Sequence, residues 1–457
     1  MTVSRRSFLA GSAGVALTLG MPARAETERL VAGKGVRQLL PDAYPATSLW
    51  TYDGSSPGPV LRFRQGDRLR RRFENALDQS STIHWHGLRL PNEMDGVPGV
   101  TQDTVPPGGT FDYAFDLPDA GTYWYHPHDR SWEQVGRGLS GALIVEEPEP
   151  PEVDFDEVLL VQDWRLTENG EIAEDFGSLH DRSHAGRIGN WLTANGLAAV
   201  ERRVGRHARL RVRVINAASA RILRIGGEGV NAVIVALDGQ PLRSPEPLTA
   251  PVPLGPGARA DLIVDVTAEG GEAAFLYHLE RDGGVPLLDL TVDGDARTSR
   301  LGPVAPLAPN AWPDLALGDA RAVDLRMEGG AMGGLSHATL GGETLSLREL
   351  AARGKVWAFN GAVDMHERPL AEVRAGETLR IRMVNDSAWP HAMHLHGHHF
   401  RQIGEDGTAG ALRDTALVAP DGRAEIAFVA ERPGDWLLHC HMLGHAASGM
   451  MTRVRVV

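Results

Sequence analysis

The chain has 457 residues, too many for one compact core, so two to four domains are expected. Apolar residues make up 42%, an ordinary share for a soluble globular protein, and nothing points to disorder. With 46 basic against 59 acidic residues the net charge is −13, which argues against nucleic acid or an anionic membrane surface as partner.

In chain order, the N-terminus reads Ser4-Arg5-Arg6-Ser7-Phe8-Leu9-Ala10, then an apolar run to Leu19, then Ala23-Arg24-Ala25. That is the pattern of a twin-arginine export signal over residues 1–25, cleaved after Ala25. The apolar run is about a dozen residues, short of the roughly 20 that span a bilayer, and no later stretch comes close. The expectation is a soluble periplasmic protein, carried folded by the twin-arginine machinery, with no membrane insertion. Nothing specifies an oligomer, and a monomer is expected. Loss of three arginines with the signal takes the charge to −16.

A repeat follows. Residues 66–75, 208–216 and 376–385 are alternating stretches ending in Asn, and they lead to His84, Arg224 and His394. The offset from Gly66 to His84 equals that from Gly376 to His394. A second element also recurs three times, a Pro/Gly turn feeding an alternating strand: Pro106 to His126, Pro256 to His278, and Pro420 to His439. Period-2 strands between such turns, with little helical periodicity, indicate all-β sandwich domains. Proline-rich joints at 146–151 and 301–309 place the domains at 26–150, 151–309 and 310–457. The middle copy has Arg224 and Gly226 where the others have His-x-His, so it is expected to carry no metal ligands.

The chemistry lies in the outer copies. His84-Trp85-His86, His126-Pro127-His128 and His394-Leu395-His396 share the His-x-His spacing, which on a strand aims two imidazoles at one point. Cys440 is the only cysteine, so no internal disulfide is possible; it lies between His439 and His441, with His445 and Met450 downstream. On a strand, Cys440 faces one way and both flanking histidines the other. One peptide would then serve two metal centres. Imidazoles, a thiolate and a thioether are blue-copper ligands, and His391, Cys440, His445 and Met450 supply such a set. The remaining eight histidines suffice for a three-copper cluster with positions open to oxygen. A lone cysteine is most often an inert buried thiol, but here five ligand positions of three residue types share twelve residues.

The motifs His-Trp-His-Gly, Tyr-His-Pro-His, His-x-x-His-Leu-His-Gly-His and His-Cys-His-x-x-x-His-x-x-x-x-Met resemble those of multicopper oxidases, from about residue 45 to the end. The resemblance implies three cupredoxin-like Greek-key β-sandwich domains and four coppers per chain. It implies type 1 copper on His391, Cys440, His445 and Met450, and type 2 on His84 and His394. The type 3 pair falls to His86, His126, His128, His396, His439 and His441. It also implies four-electron reduction of dioxygen to water, with electrons passing from Cys440 to His439 and His441. The donor would be a small phenol or aromatic amine, as in laccases; the alternative is Cu(I), as in the cuprous oxidases of copper tolerance. An electron carrier, a copper nitrite reductase or a non-catalytic relative would each lack part of this ligand set.

Asp95 has two readings, a proton relay to the cluster or a turn cap before Gly96; the resemblance favours the relay. Some relatives carry an acid after the last histidine of the fourth motif, where this chain has Ala446. Residues 327–334 read as a flexible Gly-rich loop presenting Met327 and Met332, with Asp324, Glu328 and His337 close by in sequence. Two methionines are too few to define a Cu(I) site. The remaining histidines, His398 and His399 among them, are expected to be ordinary.

Overall fold

In the computed structural model, residues 27–366 and 368–457 are described. The export-signal expectation falls on residues 1–25, outside them. Among the described residues, the strands group into paired sheets drawn from three successive stretches of chain.

The first sheet of each pair repeats one order. In the first stretch Thr47–Tyr52, Glu28–Arg37, Arg68–Asn75 and Thr110–Asp116 lie side by side. The middle and last stretches repeat that order around Arg209–Asn216 and Thr378–Asp386, and each adds two strands at one edge. These central strands are the repeated Arg-rich segments. Leu69 and Phe73, Leu210 and Val212, and Leu379 and Ile381 point into the cores, as period-2 alternation requires.

The second sheets carry the motifs. His84–His86 pairs with Gly121–His126, Leu223–Glu228 with Phe275–Glu280, and His391–Leu395 with Gly434–Cys440. In the middle stretch one core draws on both sheets, Leu210 and Val212 from one and Ile225, Leu276 and Leu288 from the other. Burial of such apolar faces at roughly 25 cal/mol per Å² holds the sandwiches closed. The fold is all-β, three sandwiches in succession.

The proline-rich segment after the middle sandwich is no free linker. Asn310 Oδ1 accepts from Ala120 N–H at 2.9 Å, and Asn310 Nδ2 and Trp312 Nε1 both donate to Gln240. Among the described residues no helix is long and apolar enough to cross a membrane.

Candidate metal centres

Register sets up both centres. His394 lies opposite His439, and Met393 opposite Cys440, so Cys440 leaves the strand on the other face from its neighbours. His84 lies opposite His126. The His-x-His pairs differ from the sequence expectation in one detail: the strands end at His126, Leu395 and Cys440, so His396 and His441 stand one residue beyond and His128 two. Pro127 cannot donate to a ladder, which accounts for the first of these ends.

On one face, Cys440 Sγ lies 3.6 Å from His391 Nδ1 and 3.8 Å from His445 Nδ1, and those two nitrogens are 3.2 Å apart. All three residues are fully buried. His445 Nε2–H donates to the His184 carbonyl at 2.6 Å, so its Nδ1 is a bare lone pair facing the sulfur. Burial pushes the Cys440 thiol up to about 12 and His445 down to about 4. Met450 is buried beside them, its carbonyl accepting from Cys440 N–H at 3.1 Å.

On the other face, eight imidazoles from two sandwiches converge. His84, His394 and His396 group together, as do His84, His86 and His126, and His128, His396 and His439. The His441 ring lies 4.9 Å from that of His86 and 5.2 Å from that of His126. Nδ1–H of His84, His126, His394 and His439 donates to a backbone carbonyl, which leaves each Nε2 bare. His396 donates Nδ1–H to Asp95 Oδ2 at 2.8 Å. Its bare Nε2 then faces the bare Nε2 of His439 at 3.1 Å. Two lone pairs at that distance in a dry site repel unless a cation lies near both. Nε2 of His84, His126 and His394, and both nitrogens of His441, are buried without a partner. Buried polar atoms are seldom orphaned, so this donor set fits metal ions. Burial, and then neighbouring imidazoles, hold His126, His128, His396, His439 and His441 well below the usual histidine range; neutral rings are what a metal binds.

Sequence models described as multicopper oxidase match residues 35–150 and 343–457. A solved structure, Lac15 from a marine microbial metagenome, is 40% identical with a TM-score of 0.76, covering 94% of this chain and 100% of its own. The chain belongs to the multicopper oxidase family. It is also similar to a laccase-like multicopper oxidase from Ochrobactrum sp., described as active towards lignin model compounds and lignosulfonate, at 25% identity and TM-score 0.79 over 94% of this chain and 96% of that one. Copper resistance protein A of Escherichia coli is 26% identical over 100% of this chain and 99% of its own. The oxidase is thus a copper-dependent oxidoreductase that uses dioxygen.

Around its cluster the oxidase places two buried aspartates. The Asp95 carbonyl holds His84, and its carboxylate reaches across to His396 and lies 3.2 Å from His84 Nδ1. The Asp95 N–H caps a short 3-10 turn by bonding Asn92 O, while the side chain serves the histidines. Asp414 mirrors this arrangement: its carbonyl holds His394, and its carboxylate reaches His86 Nε2 at 3.3 Å. Sequence reasoning missed Asp414, which lies 20 residues beyond His394 with no motif to tie it there.

The Gly-rich loop needs correction. Met327 belongs to the strand Arg321–Gly329 and is fully buried, because Leu325 and Met327 continue that strand's inward alternation. Only Met332 is presented, 80% exposed. Ala331 beside it bonds Ser183 O and Trp389 Nε1, and His184, next to Ser183, covers His445. Elsewhere beside the sulfur centre, a cavity of about 390 Å³ is lined by Ala185, Ile188, Ala220, Ile222, Pro390 and Met442, with Arg224 and Arg281 among its other lining residues.

Proposed function

We propose that the oxidase is laccase-like, coupling one-electron oxidation of small phenols or aromatic amines to four-electron reduction of dioxygen to water. The observation that carries this is the back-to-back geometry of Cys440 with His439 and His441, one peptide shared by a sulfur centre and an eight-imidazole cluster. We assign type 1 copper to His391, Cys440, His445 and Met450, and type 2 to His84 and His394. His86, His126 and His441 would hold one type 3 ion, and His128, His396 and His439 the other. That makes four per chain. Copper, when bound, supplies storage for the four electrons that oxygen reduction consumes.

The protein's part is placement. Cys440 offers a through-bond path from its sulfur along the backbone to both cluster histidines. Asp95, buried against His84 and His396, is the candidate proton relay. The cavity beside Pro390 and Met442, apolar along Ile188, Ala220 and Ile222 and charged at Arg224, Glu280 and Arg281, suits an aromatic ring with a polar substituent a residue or two from the blue-site ligands. The twin-arginine pattern supports export to the periplasm in the folded state, and Arg5→Lys/Arg6→Lys should hold the precursor in the cytoplasm.

Cu(I) is the second reading, favoured by exposed Met332 on the segment that abuts the His184 cover of His445. The test compares kcat/KM for a phenol and for Cu(I) in wild type and Met332→Leu. Phenol turnover without added copper, unaffected by the substitution, is expected. Phenol turnover only after copper addition, with Cu(I) oxidation alone lost in Met332→Leu, would hand the function to metal oxidation.

A further inference from the structure

The middle sandwich supplies no ligand histidine, yet it reaches the cluster. Gly257 has φ of +88°, and a Cβ there would stand 2.9 Å from His86 Cε1 and 3.0 Å from His441 Cδ2. Two residues on, Arg259 is fully buried. Its Nη1 donates to Asp414 Oδ1 at 2.8 Å and to the Gly257 carbonyl at 3.2 Å, and pairs as an ion with Oδ2 at 2.7 Å. Its Nε donates to the Thr122 carbonyl at 3.1 Å. One guanidinium thus ties together all three sandwiches. Asp238, also from the middle sandwich and fully buried, accepts from Arg259 N–H at 2.9 Å and from the backbone N–H of Asp414 and Thr415 at 3.3 and 3.4 Å. Asp414 is therefore gripped at its carboxylate and at its backbone.

What Asp414 touches makes this grip consequential. A carboxylate at 3.3 Å selects the Nε2–H tautomer of His86, so that Nδ1 becomes the bare nitrogen, and His86 Nδ1 is buried without a partner. The other cluster rings anchored above, His84, His126, His394, His396 and His439, are held at Nδ1. The His86 and His394 rings stack at 3.8 Å with 12° between planes, and Asp414 holds both, one by carboxylate and one by carbonyl. We propose that Arg259, with Asp238, is a positioning residue for the three-copper cluster, acting through Asp414 to set the tautomer of His86 and the orientation of His86 and His394. The inference rests on the cluster assignment made above.

Partners behind ligand histidines typically change metal affinity 10–100-fold. In the holoenzyme, Arg259→Gln should lower by 10–100-fold the Cu(II)-chelator concentration that strips half of the cluster copper. It should also alter the type 2 electron paramagnetic resonance spectrum while leaving the blue absorption intact. Arg211→Gln is the control: that arginine is also buried and joins the middle sandwich to the first through Glu147, with Asp261 of its own sheet beside it. It should cost stability without selective cluster loss. Should Arg259→Gln not fold, Asp414→Ala, which takes the carboxylate from His86 and keeps the backbone carbonyl for His394, is read the same way. Wild-type chelator resistance and an unchanged type 2 spectrum would overturn the proposal. So would equal loss of blue and cluster copper in both arginine variants, the mark of a merely structural pair. Wild-type protein without a type 2 signal would instead sink the cluster assignment itself.

Discussion

Cys440 sits where two opposing effects meet. Burial without a cation holds its proton on, up to about 12, so in copper-free protein the thiol is inert at neutral pH. A metal ion between Sγ and the two Nδ1 atoms reverses that balance by supplying the missing charge. Cys440→Ser should therefore abolish the intense thiolate-to-copper absorption and donor oxidation, while the eight cluster imidazoles stay intact and still hold copper. A blue, active serine variant would end the assignment. At Asp95 the expectation concerns rate, not occupancy. Asn keeps an acceptor oxygen for His396 but cannot carry a proton, so Asp95→Asn should keep its copper and lose about 10²-fold in turnover. Stopped-flow reduction of the blue site should proceed as in wild type, with slow reoxidation by oxygen. Unchanged steady-state turnover across pH would remove Asp95 from proton delivery.

At the scale of elements, each His-x-His is a strand end with a requirement attached. Gly87 closes the first motif at φ of +84°, and a Cβ there would stand 2.2 Å from Arg259 Nη2 and 2.6 Å from Asp414 Oδ2. Gly87→Ala costs about 1–3 kcal/mol for the left-handed backbone alone and also displaces the Arg259–Asp414 pair. The expected outcome is reduced cluster copper and a lower urea midpoint for the copper-free protein; normal values for both would show that the pair can move aside. Strand identity and ligand pairing were legible because His-x-His and Cys440 carry their geometry in local spacing. Asp414 and Arg259 were not, since their contact joins residues 155 apart and no periodicity marks it. Met327 misled for the opposite reason. The glycines after it read as a loop, while the Leu325/Met327 alternation, decided by the core, carried the strand on to Gly329. The Asn-ended strands were read correctly at Asn75 and Asn216, and the third runs one residue on to Asp386; all three asparagines, Asn385 included, fold back on the following turn, their Oδ1 accepting from the N–H two residues on.

For the whole molecule, burying so many imidazoles makes stability a function of pH. An unfolded histidine titrates near 6.5. In the folded, copper-free protein, burial and neighbouring rings hold His86, His126, His128, His391, His396, His439 and His441 well below that, and burial takes His445 and His398 to about 4. Between those values the unfolded chain binds more protons than the folded one, so stability rises with pH and falls as pH drops through 6.5 towards 4. Each such ring contributes up to about 1.4 kcal/mol per pH unit. The buried carboxylate does not offset this. Burial alone would raise Asp414, but Arg259 and His86 outweigh it and hold it well below the usual range, so its own loss comes only at more acid pH. Urea unfolding of copper-free protein at pH 7.5, 6 and 5 should therefore show a midpoint that falls steeply below pH 6.5. The copper-loaded protein should resist at pH 6 and release copper in the same acid window, because protons and metal compete for the same lone pairs. A copper-free midpoint that stays level from pH 7.5 to 5 would mean that the cluster admits water and its rings titrate normally, and the dry, eight-imidazole cavity would have to be abandoned.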